Sequence, residues 1–136
     1  MSLLHEDLTG RIIGVFYDVY AELGQGFLES ICQTAMGIAL TESGLSIAQQ
    51  APLEVWFRGR AIGNFIPDIV VNNLVCVEIK SVGWIHPAHE AQLLNYLRAS
   101  SMEVGLLVNF GPKPEYRRRI LTNDRKVPRC TAIDSG

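Results

Sequence analysis

The chain lacks an apolar run of the roughly 18 uncharged residues that a membrane-spanning helix requires, so no such helix is expected within it. It also lacks the marks of a secretory leader. Met1-Ser2-Leu3-Leu4-His5-Glu6-Asp7 is acidic where a leader is basic, and no leader-type apolar stretch follows. Cysteine is scarce: Cys32, Cys76 and Cys130 are odd in number, far apart, and free of CxxC or Cys/His finger spacing. Neither a disulfide framework nor a structural zinc site is supported, and idle thiols in a reducing cytoplasm are expected. Excess charge of one sign is missing too. A net charge of -2 is not that of a protein gripping DNA by charge alone. No repeat or low-complexity tract occurs. What remains is 136 residues, 48% hydrophobic and 19% charged, enough for one domain with a real core.

The distribution of charge says more than its sum. Lys113, Arg117, Arg118, Arg119, Arg125, Lys126 and Arg129 stand against Glu115 and Asp124, a net +5 within 113–129, which leaves the rest of the chain at net -7. A basic end beside an acidic body suits a protein that holds phosphates next to a carboxylate cluster. The plainer reading is a solvated segment that aids solubility.

Apolar residues Leu8, Ile12, Val15, Val19 and Leu23 recur at three- to four-residue steps and predict an amphipathic helix over about 7–23. Gly24 and Gly26 allow its end and a sharp re-entry. A second helix is expected over 27–42, burying Leu28, Ile31, Cys32, Ala35 and Ala39. The period then changes. Residues 53–57 read as a strand, Arg58-Gly59-Arg60 as a turn, and 61–65 as a strand leading into 69–71 past Pro67, a residue tolerated at an edge, break or bulge. Asn72-Asn73 marks a turn. A buried strand follows over 74–80, then a helix from Pro87 to about Ala99, then a strand over 103–110. Arg118-Arg119-Ile120-Leu121 adds a possible edge strand. The order is αα-βββ-α-β, with the crossover helix demanding a parallel connection inside a mixed sheet flanked by helices.

Within this pattern, Pro67-Asp68 precedes Glu78-Ile79-Lys80. Strand side chains alternate, so Glu78 and Lys80 share one face and Val77 and Ile79 the other. A three-residue loop at 72–74 pairs 71 with 75, 70 with 76 and 69 with 77. That register brings Asp68 opposite Glu78, with Cβ atoms about 4.5–5.5 Å apart. A two-residue turn would instead set Asp68 against Val77. Two carboxylates facing each other on a half-buried sheet need a cation. Lys80 supplies part of that charge, and Mg²⁺ (or Mn²⁺) suits the hard oxygen donors. A divalent ion polarises a phosphoryl oxygen and acidifies water, both of which promote phosphodiester hydrolysis.

These segments resemble the PD-(D/E)XK nuclease superfamily. Gly26-Phe27-Leu28-Glu29, with Cys32 in place of the final Tyr, is similar to the GxxExxY branch of it. His89-Glu90-Ala91-Gln92-Leu93-Leu94-Asn95-Tyr96-Leu97 resembles that branch's helix with its QxxxY pattern, and 105–111 its closing strand. The resemblance covers about residues 8–121 and implies a restriction-endonuclease-like α/β fold over 1–121, with 122–136 a basic tail or edge strand. It implies that Asp68 and Glu78 bind metal with the Ile79 carbonyl, and that Lys80 assists the nucleophile. Glu29 would reach the site from its helix, with Gln92 and Tyr96 lining it. At 100° per residue Glu29 falls at the edge of the expected buried stripe, and His89, Gln92 and Tyr96 form one helix flank. Arg117, Arg118 and Arg119 are the expected substrate contacts.

Plainer readings stand beside these: a surface ion-pair ladder for Asp68, Glu78 and Lys80, a helix-flank carboxylate for Glu29, and boundary residues for Gln92 and Tyr96. His86 and His89 have no third ligand for zinc. Gly24-Gln25-Gly26 lacks the remaining dinucleotide-loop glycine. Trp56 and Trp84 read as core or rim residues, with base stacking by Trp84 the sharper alternative. The leading expectation is a Mg²⁺-dependent nuclease. The competing ones are a nuclease-fold module that binds nucleic acid or protein without turnover, and an assembly, a homodimer or a complex with a partner subunit, that completes the grip.

Overall fold

The computed structural model describes residues 4–126. Arg129, Cys130 and most of the expected basic tail lie outside the described residues. Helix α1 (Glu6–Leu23) buries Ile12, Val15, Phe16 and Val19 on one stripe and ends at Gly24, whose φ of 69° favours glycine. Helix α2 (Glu29–Glu42) starts two residues later than expected and is turned on its axis. Its buried residues are Cys32, Met36, Gly37 and Leu40. Leu28, just outside the first turn, is 71% exposed and Ile31 is 42% exposed, so neither belongs to the stripe. Met36 and Leu40 continue the four-residue step from Cys32. That step also carries Glu29 to the inner side, since seven residues before Met36 is almost two whole turns.

Five strands make the main sheet in the order β1 (Ile47–Gln49), β4 (Ile69–Val71), β5 (Val75–Lys80), β6 (Val104–Phe110) and β7 (Pro114–Ile120). Strands β5 and β6 are parallel and the other neighbours antiparallel. The parallel pair is joined through α3 (Pro87–Arg98), the crossover that the sequence demanded. This is the mixed α/β sheet flanked by helices, consistent with a restriction-endonuclease-like fold. Odd-numbered side chains of β5, Val75, Val77 and Ile79, join α1 and α2 in one core, while Cys76 joins Leu93 and Leu97 of α3 in the other.

Two features differ from the expected order. Strand β1 pairs with β4 and was not foreseen. Strands β2 (Leu53–Phe57) and β3 (Arg60–Phe65) form a separate two-stranded sheet instead of the first part of a meander, because Ile66-Pro67-Asp68 breaks the chain before β4. Strand β7 is also longer than the edge strand expected.

Glycine fixes how closely α3 lies on the sheet. A Cβ at Gly105 would come within 2.7 Å of Leu93 Cδ1, so Gly105→Val is expected to cost about 1–3 kcal/mol through overpacking. A lowered urea midpoint with unchanged slope checks it.

Candidate metal centre

The loop after β4 sets the register. Asn72 and Asn73 take φ values of 52° and 56°, and Leu74 N–H closes onto Val71 O at 2.9 Å. The pairs are Val71 with Val75, Val70 with Cys76 and Ile69 with Val77, the three-residue-loop register. Asp68 follows on beside Glu78, and the two lock each other through the backbone. Asp68 N–H donates to Glu78 Oε2, and Ile79 N–H donates to Asp68 Oδ2, both at 2.8 Å. Each carboxyl thus spends one oxygen on the neighbouring strand, leaving Asp68 Oδ1 and Glu78 Oε1 outside that pairing.

The electrostatics follow from burial. Glu78 is 4% exposed and Asp68 half-buried. Burial, then the charge of Asp68, push the Glu78 carboxyl up to about 8, against the Asp68 N–H bond and Lys80. Burial also raises Asp68, opposed by the Ile79 N–H and Lys80. Lys80 is near enough to favour both anions, yet no salt bridge joins it to either within the described residues. A buried and a half-buried carboxyl side by side with no cation in contact are costly as anions, and a divalent ion on their oxygens relieves that cost. The donors, carboxylates and the neighbouring Ile79 carbonyl, fit a hard cation such as Mg²⁺ or Mn²⁺ and not a thiolate-seeking one.

The other expected residues are placed unevenly. Glu29, half-buried at the start of α2, acts through space on Asp68, Glu78 and His89. It does not close onto the pair: among the described residues no three His, Cys, Asp or Glu side chains gather as a metal cluster. Tyr96 of α3 is stacked on Phe65, ring centroids 4.2 Å apart and planes 4° from parallel. Burial, Glu78 and Asp68 push its hydroxyl up to about 12, opposed by a Gln92 hydrogen bond, so it stays a donor. Gln92 itself is exposed. His86 and His89 cap α3: His86 N–H donates to His89 Nδ1 at 3.0 Å and Ala88 N–H to His86 Nδ1 at 3.4 Å. Trp84 is exposed on the loop after β5.

The arginine run is split by strand alternation. Arg118 crosses to the α1 face, where Nε reaches Thr9 Oγ1 at 3.4 Å and a terminal nitrogen bonds Leu4 O. Arg119 pairs with Glu90 of α3. Arg117, in register with Leu107 and through it with Glu78, lies on the site's face but 3.9 Å from Glu115. The three are therefore not brought together over the carboxylates.

Two positions that sequence reasoning passed over support the site. Asn109, fully buried in β6 and in register with Lys80, bonds both Val82 N–H and Val82 O at 3.0 Å and pins the loop after Lys80. Its signal was a polar side chain in the apolar strand 104–110. Gln50 donates its N–H to Asp68 O at 3.3 Å, and its side chain favours the Asp68 anion; nothing in its local sequence marked it. A groove of about 620 Å³ opens beside the centre, with Phe27, Leu28, Glu29, Ser81 and Gly111 in its lining but neither Asp68 nor Glu78.

A fold with Asp68 just ahead of one strand and Glu-x-Lys on its neighbour in a mixed sheet defines a nuclease-type α/β domain. A family model of the PD-(D/E)XK nuclease superfamily matches residues 6–120, and the chain belongs to that superfamily. Neither the curated proteins nor the solved structures contain a match. Among the described residues no helix is long and apolar enough to cross a membrane.

Proposed function

We propose that the chain is a divalent-metal-dependent nuclease of the GxxExxY type, hydrolysing nucleic-acid phosphodiester bonds. The observation that carries the reading is the Asp68–Glu78 pair, locked by reciprocal backbone bonds, with Glu78 buried, Asp68 half-buried and no salt bridge to either among the described residues. Nucleases of this superfamily generally use divalent ions. Asp68, Glu78 and the Ile79 carbonyl would hold Mg²⁺ or Mn²⁺, which supplies charge that polarises the phosphoryl oxygen.

The chain's own groups do the rest. Lys80 Nζ, unpaired among the described residues, orients the attacking water and offsets negative charge at the carboxylate pair. Tyr96 O–H donates toward the phosphate, positioned by Gln92 and Phe65. Glu29, brought to the inner side of α2, faces the same space and orients water from the opposite edge. Arg117 is the member of the arginine run placed to meet a phosphate on this face. Cys32, at the position of the pattern's Tyr, is buried in the α1–α2 core and takes no part.

Labelled single- and double-stranded DNA and RNA are incubated with purified protein in Mg²⁺, Mn²⁺ or EDTA. Cleavage of at least one substrate in metal and none in EDTA is expected. Intact substrates in all conditions, or cleavage indifferent to EDTA, contradict the proposal.

A further inference from the structure

Phosphates need cations, and three of the six described cations of the basic segment are committed elsewhere. Arg118 is bonded on the opposite face, Arg119 is held by Glu90, and Lys126 is buried with Nζ on Ser100 O and Met102 O at 2.7 and 2.6 Å. The β2–β3 hairpin presents a different pair. Arg58 and Arg60, at its tip, are exposed and form no ion pair among the described residues. Glu54, toward the base, is the hairpin's one acidic residue against them.

The hairpin is tied to the metal centre at its base. Phe65 stacks on Tyr96, its strand partner Leu53 packs in the α3-side core, and Asp68 follows three residues later. From there the two strands run outward by roughly 15–20 Å, at about 3.3 Å per residue. That is about five base-pair steps of duplex. A bulge between Val55 and Trp56 leaves Ile62 without a partner and 65% exposed, and such irregularities bend a hairpin and re-aim its tip. Arg58 has a φ of 50°, a left-handed conformation that Asn or Gly adopts more readily, and its guanidinium lies 4.9 Å from the Phe57 ring centroid. The arginine is thus held at the apex against local preference.

We infer that the β2–β3 hairpin is the nucleic-acid-binding wing of this nuclease, with Arg58 and Arg60 contacting backbone phosphates of the strand whose scissile bond lies at Asp68 and Glu78. The inference rests on the nuclease reading and names the grip which that reading needs. Exposed Phe57 and Ile62 beside the arginines offer apolar contact to sugars and bases, so that the wing binds without base-specific readout.

The test is fluorescence anisotropy of full-length protein on labelled single strands and duplexes in EDTA, repeated over a salt series. Arg58→Asn with Arg60→Gln keeps the turn conformation and removes both charges. It should weaken binding and flatten the slope of log K against log salt by about 1.4 on single strands or about 1.8 on duplex. Arg58→Lys with Arg60→Lys should keep the wild-type slope. An unchanged slope in the neutral variant overturns the wing and leaves the nuclease reading standing. Wild-type protein that binds neither DNA nor RNA overturns both. A dimer in sedimentation that Ile62→Asp splits, with the salt slope unmoved by the arginine changes, makes the hairpin a contact between copies and overturns the wing as well.

Discussion

Glu78→Gln makes the metal-free protein more stable at pH 8–9, by an expected 5–10 °C in melting temperature, roughly what one to three kcal/mol produces in a domain of this size. The cause is the proton. In the folded chain burial and Asp68 hold Glu78 protonated up to about pH 8, whereas the unfolded chain releases that proton near 4.5. Between those values the folded form binds more protons, so stability falls as pH rises; below the window both forms are protonated and the penalty is absent, and above it the penalty is complete. The full penalty is on the order of 3–5 kcal/mol, of which Gln recovers a part, since its amide oxygen can still accept from Asp68 N–H. The two proteins should therefore converge near pH 5 and diverge toward pH 9. Thermal melts in EDTA across that range check it. A wild-type melting temperature flat from pH 5 to 9 would show that the pair is not buried as described.

Lys80→Ala lowers the rate of metal-dependent cleavage by on the order of 10²-fold or more, the scale lost when a reacting group is no longer held in place. The side chain is half-buried on the same strand face as Glu78 and acts on both carboxyls without contacting them. Losing it takes away a positioning cation without opening a core cavity. Folding should survive, as far-UV circular dichroism would show. Lys80→Arg separates charge from placement: the positive charge is kept, but a planar fork replaces the compact ammonium that orients the water, so the rate should remain low. Near-wild-type cleavage in Lys80→Ala would move the chemistry away from this strand.

Much of this site was legible because strand arithmetic is strict. Asn72 and Asn73 accept left-handed backbone and marked the turn, and a period of two placed Glu78 and Lys80 together; of the two loop lengths open to the sequence the structure has the three-residue one, which sets Asp68 beside them. The same arithmetic, carried to Arg117-Arg118-Arg119, would have split that run: consecutive residues of a strand cannot share a face, and Arg118 indeed goes to α1. Helix α2 was harder. Leu28 and Ile31 are as apolar as Met36 and Leu40, so composition could not choose the phase; packing of Cys32, Met36 and Leu40 against α1 and the sheet chose it, and that phase carries Glu29 from the edge of the stripe to its inner side. Strand β1 is three residues long and owes its existence to pairing with β4, including the Asn72 Oδ1 bond to Ser46 N–H. No local period marks so short an edge. The standing apart of β2 and β3 likewise depends on where α3 and Tyr96 receive Phe65, a long-range contact that sequence windows do not hold.

Whether the two carboxyls hold a divalent ion is read from calorimetric titration of Mn²⁺ into wild type, Asp68→Asn and Glu78→Gln at pH 8. Binding by the wild type with release of protons, and loss of that heat in both variants, is the predicted outcome. Equal uptake by all three proteins, or none by the wild type, would mean that these two strands do not build a cation site.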